Sequence, residues 1–324
     1  MGCPHRCVFC NQNAISGCRV FDEGEVPRLI ERALATVPEG ELPEIAFFGG
    51  SFTGIDRNLM ERLLRMATGY VEAGRVSSIR LSTRPDFISA EILKILNCYP
   101  VQTVELGIQS MDDRVLLASR RGHTAAQTVQ SCEMIREAGF DLVGQMMIGL
   151  PRSDAESEME TAEAICRMGA VAARIYPTVV FRGTELQRMA ECGEYLPLSL
   201  EGAVERAANV LEIFSARDVG CLRIGLCATE ELTSPEEVYA GPNHPALGEL
   251  VWNEIYYRKI RTLCQRSGLA GGEAVLYVPR GTVSKAVGQK RRNLERLLRE
   301  TGTRICGVHE TGESDLSVEK SRRT

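Results

Sequence analysis

The feature that most constrains this chain is a repeated switch of hydrophobic period. Leu29, Ile30, Ala33, Leu34 and Val37 recur at helical spacing, and Glu44 to Phe48 then gives a short apolar run closed by Gly49-Gly50. The exchange continues downstream. Helices are predicted at 58–73, 89–97, 124–138, 154–168 and 199–215, and strands at 77–82, 101–107, 141–147 and 172–180. Strands alternating with helices imply βαβ units and a parallel sheet, so the fold class is α/β, a partial (β/α) TIM-like barrel. Functional loops in such barrels follow the C-terminal ends of the strands.

After about residue 218 this rhythm loosens. A Pro/Gly-containing stretch at 234–248 precedes a helix at 248–266, a strand at 272–279, a helix continuing from Ser284 to Arg299 and a strand at 303–307. The expected division is therefore 1–218 as the barrel, 219–308 as a small α+β extension, and 309–324, polar and without an apolar period, as a flexible tail. The 324 residues are 44% hydrophobic and 25% charged with a net charge of -5, which excludes disorder and collagen and supports a core that needs no staples. No apolar run reaches the roughly 18 residues that span a bilayer, and the chain opens without a leader-like stretch. No membrane partner is expected, and the address is cytoplasmic.

Twelve cysteines in a chain of this kind are metal ligands or buried thiols rather than disulfides. Nine of them, Cys18, Cys98, Cys132, Cys166, Cys192, Cys221, Cys227, Cys264 and Cys306, are dispersed and read as small structural hydrophobes. Cys3, Cys7 and Cys10 are clustered, so that each short loop returns the next sulfur to one centre. Iron-sulfur clusters take four thiolates, and three would leave one iron open to an outside ligand. The rival is a zinc site completed by Cys18 or His5, since structural zinc takes four closed ligands.

Cys3-Pro4-His5-Arg6-Cys7-Val8-Phe9-Cys10 resembles the signature of the radical S-adenosylmethionine superfamily, including the aromatic residue before the last cysteine. The resemblance implies a [4Fe-4S] cluster on Cys3, Cys7 and Cys10, shielded by Phe9, whose open iron binds the amino and carboxylate groups of S-adenosylmethionine. Reduced by a donor such as flavodoxin or ferredoxin, the cluster would cleave the sulfonium and release a 5'-deoxyadenosyl radical. Three strand-end segments fit the same family. Gly49-Gly50-Ser51 resembles the Gly-Gly-Glu loop that meets the methionine amino group, with Ser51 in place of the acid. Thr83 and Arg84 follow a strand where family members contact the cofactor, and Gln109 sits on a strand whose amide approaches it. Without the resemblance these are a tight turn, a surface arginine and a helix-capping amide.

Further matches narrow the resemblance to the radical domain of Elongator catalytic subunits, which modify the wobble uridine of tRNA. They are Arg121-Gly122-His123-Thr124, Gly149-Leu150-Pro151, Ile175-Tyr176-Pro177-Thr178-Val179-Val180-Phe181-Arg182-Gly183-Thr184 and Gly193-Glu194-Tyr195, in the same order from residue 3 to about 215. Tyr176 and Arg182 become the catalytic candidates, the alternative being a hydrogen-bonded barrel rim. Two departures stand out. Nothing after Val308 builds the acetyltransferase domain of those subunits, and a first cysteine at position 3 leaves no room for the barrel strand that precedes the signature. A truncated start with a missing first strand is expected, because the alternative is an open sheet edge.

The strand, helix and strand from 272 to 307 resemble a KH-like RNA-binding unit, in which a Gly-x-x-Gly loop clamps phosphates. Only Gly288 is present, with Arg291 where the second glycine would stand. Lys285 to Glu300 holds six basic residues and two acids, a local excess in an acidic chain. Lys285, Gly288, Gln289, Lys290, Arg291 and Arg292 are therefore RNA-contact candidates, against the reading of a solvated helix face. His244 reads as a loop residue. Together these point to a radical S-adenosylmethionine enzyme acting on tRNA or another RNA. The alternatives are a radical enzyme on a small molecule or tetrapyrrole, and a non-catalytic zinc- or RNA-binding protein.

Overall fold

A computed structural model describes residues 3, 7–10, 21–226 and 236–321. The chain divides into two compact units, Met1–Ala203 with Ile213–Pro245, and Val204–Glu212 with Ala246–Thr324. In the first, strands β1 (Ile45–Phe47), β2 (Ile79–Thr83), β3 (Val101–Gln109), β4 (Asp141–Ile148) and β5 (Ala172–Pro177) pair in sequence order, all parallel. The two residues of β6 (Val180–Phe181) leave the sheet, and β7 (Gly220–Ile224) returns to lie parallel to β5. Six parallel strands thus make a curled half-barrel. β8 (Val238–Ala240) pairs antiparallel with β6.

Helices connect the strands: α1 (Val26–Leu34), α2 (Arg57–Glu72), α3 (Ala90–Leu96), α4 (Asp113–Ala118), α5 (Ala125–Glu137), α6 (Ala155–Arg167), α7 (Glu185–Glu191) and α8 (Leu200–Ala216). Their starts are written in the sequence. Asp56, Ser89, Thr124, Asp154, Thr184 and Ser199 each accept a hydrogen bond from a backbone N–H of the first turn, satisfying a donor the helix itself cannot. The strand period sorts the side chains. On β3, Val104, Leu106 and Ile108 are buried on the helix side, whereas Glu105, Gly107 and Gln109 take the opposite face. Gly144 on β4 lets α6 approach, since a Cβ there would stand 2.6 Å from Ile165 Cγ2.

The second unit contains α9 (Leu247–Arg266), β9 (Glu273–Pro279), α10 (Val283–Val287), α11 (Arg292–Thr301), β10 (Arg304–Thr311) and β11 (Ser317–Lys320). Its sheet runs β10-β9-β11, with β9 parallel to β10 and antiparallel to β11. Tyr257, Ile260, Leu276, Val278, Leu294, Leu297 and Ile305 form its core. No helix among the described residues is long and apolar enough to cross a membrane.

Three sequence expectations need correction. The single helix from Ser284 to Arg299 is broken after Val287, because Gly288 (φ 75°), Lys290 (φ 52°) and Arg291 (φ 64°) leave helical dihedrals. The tail expected to be flexible at 309–324 contains two strand segments among its described residues. Residues to Thr311 extend β10, and Ser317–Lys320 pairs with the free edge of β9, packing Leu316 and Val318 against the core. Two apolar residues are too few to show a period, and the backbone partner decides instead. Third, the first unit extends to Pro245 rather than 218, because β7 and β8 belong to it. Part of the 234–248 stretch, with His5, Cys18 and Cys227, lies outside the described residues.

Candidate active site at the strand ends

The cysteine segment is held by its backbone and by one buried side chain. Val8 N–H donates to the Ser119 carbonyl at 3.2 Å and the Val8 carbonyl accepts from Leu186 N–H at 2.8 Å. Its side chain packs with Val180, Leu186 and Tyr195, and Phe9 lies against the same group. Tyr195 hydroxyl donates to the Gly149 carbonyl at 2.6 Å, and Gly149 N–H donates to the buried Glu158 carboxylate at 2.6 Å. Gly149 has φ 77°, and a Cβ there would stand 2.6 Å from Leu198. The Gly-Leu-Pro and Gly-Glu-Tyr motifs therefore work as one latch beneath Val8.

Around Cys7 the strand ends place two arginines. Arg84, following β2, donates from Nη1 to Cys7 Sγ at 3.7 Å and holds Asp86 with two bonds of 2.8 and 3.0 Å. It also donates to the Arg121 carbonyl. Arg121 reaches Cys7 Sγ at 3.5 Å from Nη1 and the Gly107 carbonyl at 2.7 Å from Nη2. Burial works against the Asp86 charge, but the Arg84 guanidinium prevails and holds its carboxyl below the usual range. His123, only 5% exposed, is pushed down to about 4 by burial and then by the Arg121 and Arg84 cations. It stands neutral, and neither ring nitrogen has a hydrogen-bond partner. Gln109 Oε1 and Arg121 Nε are likewise buried without partners, and Gln109 adopts φ 66°.

The other predicted cofactor residues join this group from the neighbouring loop. Gly49 (φ 97°), Gly50 and buried Ser51 follow β1, and the loop is tied to β2 by a 2.6 Å hydrogen bond between Thr53 and Thr83 hydroxyls. Thr53 also donates to the Phe87 carbonyl. Arg84 is thus brought to Cys7, with its N–H groups engaged by Asp86, Arg121 and the thiol instead of facing an open carboxylate site. Tyr176 stands near the end of β5 beside Arg174. Arg182 is exposed over the Tyr239 ring, 5.7 Å from its centre, on the short β6–β8 pair.

Sequence reasoning missed the floor of the half-barrel. Glu105, 2% exposed, accepts from Arg80 at 3.0 Å and from Arg174 at 2.7 and 2.9 Å. An acid inside an otherwise apolar strand was the available signal. It also missed Arg121 and His123 as site residues, although both lie in a quoted motif. Of the dispersed cysteines, Cys132 and Cys264 are buried as expected, and burial pushes the Cys132 thiol up to about 12. Cys98, Cys192 and Cys306 are exposed instead: Cys98 and Cys192 fall just past the ends of α3 and α7, and Cys306 lies on β10.

In the second unit, Gly288 is pressed against Asn293, whose amide donates to the carbonyls of Lys285, Ala286 and Asn253 and so fixes the turn. Gln289, Lys290, Arg291 and Arg292 are exposed, while Lys285 lies over the Trp252 ring at 4.8 Å.

Cys7 is buried, Cys10 half-buried and Cys3 exposed. Among the described residues, no three His, Cys, Asp or Glu side chains are gathered closely enough to hold a metal ion. The donor chemistry nonetheless fits an iron-sulfur cluster. Three thiols come from one short segment, two cations stand against the buried one, and unpartnered buried polar atoms mark the adjacent strand end.

Residues 1–165 match the Radical SAM superfamily and residues 171–257 the Radical_SAM C-terminal domain. The chain belongs to the radical SAM superfamily and is a radical SAM enzyme, whose cofactors are a [4Fe-4S] cluster and S-adenosylmethionine. An uncharacterized protein of Methanocaldococcus jannaschii is 27% identical over 228 residues, 66% of this chain and 70% of that protein. The tRNA uridine(34) acetyltransferase of the same organism is 27% identical over 158 residues, 48% of this chain but 29% of that enzyme. Archaeal Elp3 of Methanocaldococcus infernus, solved with an N-terminal deletion, shares the fold with a TM-score of 0.61 at 23% identity, covering 76% of this chain and 60% of the solved one.

Proposed function

We propose that this enzyme performs radical S-adenosylmethionine chemistry on tRNA. The observation that carries the reading is the similarity to a tRNA uridine(34) acetyltransferase. The chain spans under a third of that enzyme, and only the radical chemistry is proposed here, not acetyl transfer.

Cys3, Cys7 and Cys10 hold the cluster in this reading. When bound, the cluster supplies the electron that splits S-adenosylmethionine into methionine and a 5'-deoxyadenosyl radical. Gly49, Gly50 and Ser51 offer backbone and hydroxyl groups to the cofactor, and the Thr53–Thr83 bond keeps their loop at the strand end. Gln109 brings a buried amide oxygen free to accept a hydrogen bond. Glu105 clamps Arg80 and Arg174, which orders the inner face on which Tyr176 stands. Lys290, Arg291 and Arg292, exposed on the turn fixed by Asn293, meet RNA phosphates by charge. The partner that would supply the electron is a low-potential donor of the flavodoxin or ferredoxin type.

The test is anaerobic turnover of dithionite-reduced holoenzyme with S-adenosylmethionine and unfractionated tRNA. The reading predicts 5'-deoxyadenosine whose formation tRNA stimulates, and a modified nucleoside in the digested tRNA by mass spectrometry. Cofactor cleavage indifferent to tRNA, with unchanged nucleosides, contradicts the tRNA substrate and leaves the class intact.

A further inference from the structure

Arg121 is a buried cation with little to balance it. It is 6% exposed, its Nε has no partner, and its Nη1 and Nη2 donate to the sulfur of Cys7 and to the Gly107 carbonyl. The neighbouring carboxylate, Asp86, already accepts from Nε and Nη2 of Arg84. A neutral thiol does little for a buried guanidinium, whereas an anionic sulfur, as in a cluster ligand, compensates it. Arg84 adds a second guanidinium to the same sulfur.

We propose that Arg84 and Arg121 act through the Cys7 sulfur to raise the reduction potential of the cluster. The inference rests on the reading that Cys7 is a cluster ligand. Reduction adds one negative charge that is shared over the cluster sulfurs, and N–H donors to those sulfurs together with nearby positive charge favour the reduced form. Both donors sit in a region where water does not screen them, so their effect exceeds that of surface cations. The two arginines are positioning residues, since neither needs to touch S-adenosylmethionine for this effect. The anchoring also explains their placement: Arg84 is aimed by Asp86, and Arg121 by the Gly107 carbonyl, so neither donor is free to swing away.

The experiment is an EPR-monitored redox titration of anaerobically reconstituted full-length protein with viologen mediators, without S-adenosylmethionine, with iron and sulfide measured on each sample. Arg121→Gln is expected to lower the ratio of reduced to oxidised cluster at fixed poise by about tenfold, a 59 mV shift for one electron. Arg84→Gln moves in the same direction, Arg121→Lys falls between parent and Arg121→Gln, and Arg80→Gln, at an arginine that pairs with Glu44 and Glu105 rather than with Cys7, leaves the potential unchanged. If Arg121→Gln fails to hold a cluster, Arg121→Lys decides, since it keeps the charge and loses the fork. A potential equal to the parent's in an iron-replete arginine variant, or an equal fall in Arg80→Gln, overturns the inference. A parent that binds no iron overturns the cluster reading itself.

Discussion

In the first unit, charge is buried and paired: Glu105 lies between Arg80 and Arg174, and Arg84 between Asp86 and Cys7. In the second unit Lys290, Arg291 and Arg292 stand in solvent on a turn held by a single amide, Asn293. The two arrangements suit different ligands. Buried pairs are preorganised and barely screened, which suits a small cofactor whose atoms must be placed; exposed cations are mobile and salt-sensitive, which suits a polyanion.

The sharpest way to break this comparison is to remove Cys7. Cys7→Ala is expected to leave no stable four-iron cluster after reconstitution, read as iron and sulfide at background, and Cys3→Ala and Cys10→Ala likewise. Next in size is Glu105→Ala, which strands Arg174 in the half-barrel and leaves Arg80 with Glu44 alone. Losing one partner of a buried ion pair costs about 3–5 kcal/mol, measurable by urea denaturation. A loss under about 1 kcal/mol would show that water reaches this floor and that the charges are not buried in the sense argued.

Acid provides a third test. His123 has a folded value of about 4, below its ordinary 6.5, so the unfolded chain binds more protons between those limits. Its contribution makes stability fall as pH drops from about 6.5 to about 4, by up to about 3 kcal/mol. His123→Phe should flatten the melting-temperature profile over that window, and an unchanged profile would contradict a buried neutral imidazole. The smallest effect is expected in the second unit. Lys290→Ala and Arg291→Ala should each weaken tRNA binding modestly, reduce the salt slope by about 1 and leave stability within about 0.5 kcal/mol. An unchanged slope would make this turn a merely solvated surface.

The parts of the molecule that were readable in sequence are those where one local signal suffices. Helical spacing of apolar residues placed α2, α3, α5, α6 and α8 to within a residue or two, and the runs between them placed β2 to β5 to within a few, while the short α4 and α7 went unread. The Cys3-Cys7-Cys10 spacing, with the ordered motifs, gave the superfamily. The rest needed contacts across the chain. Arg121 meets Cys7 across 114 positions, and Glu105 meets Arg174 across 69, distances at which no periodicity speaks. β11 exists because β9 has an edge to offer, and the break at Lys290 and Arg291 puts two non-glycine residues at positive φ against their own preference. Arg182 illustrates the converse: its motif drew it into the site, whereas the fold sets it over Tyr239.

The measurement that tests the account most directly is the EPR spectrum of anaerobically reconstituted, dithionite-reduced protein with and without S-adenosylmethionine. The account predicts a reduced four-iron cluster whose signal changes when the cofactor is added, because one iron is left open by Cys3, Cys7 and Cys10. Bound zinc with no cluster after reconstitution, or a cluster signal indifferent to S-adenosylmethionine, would contradict it.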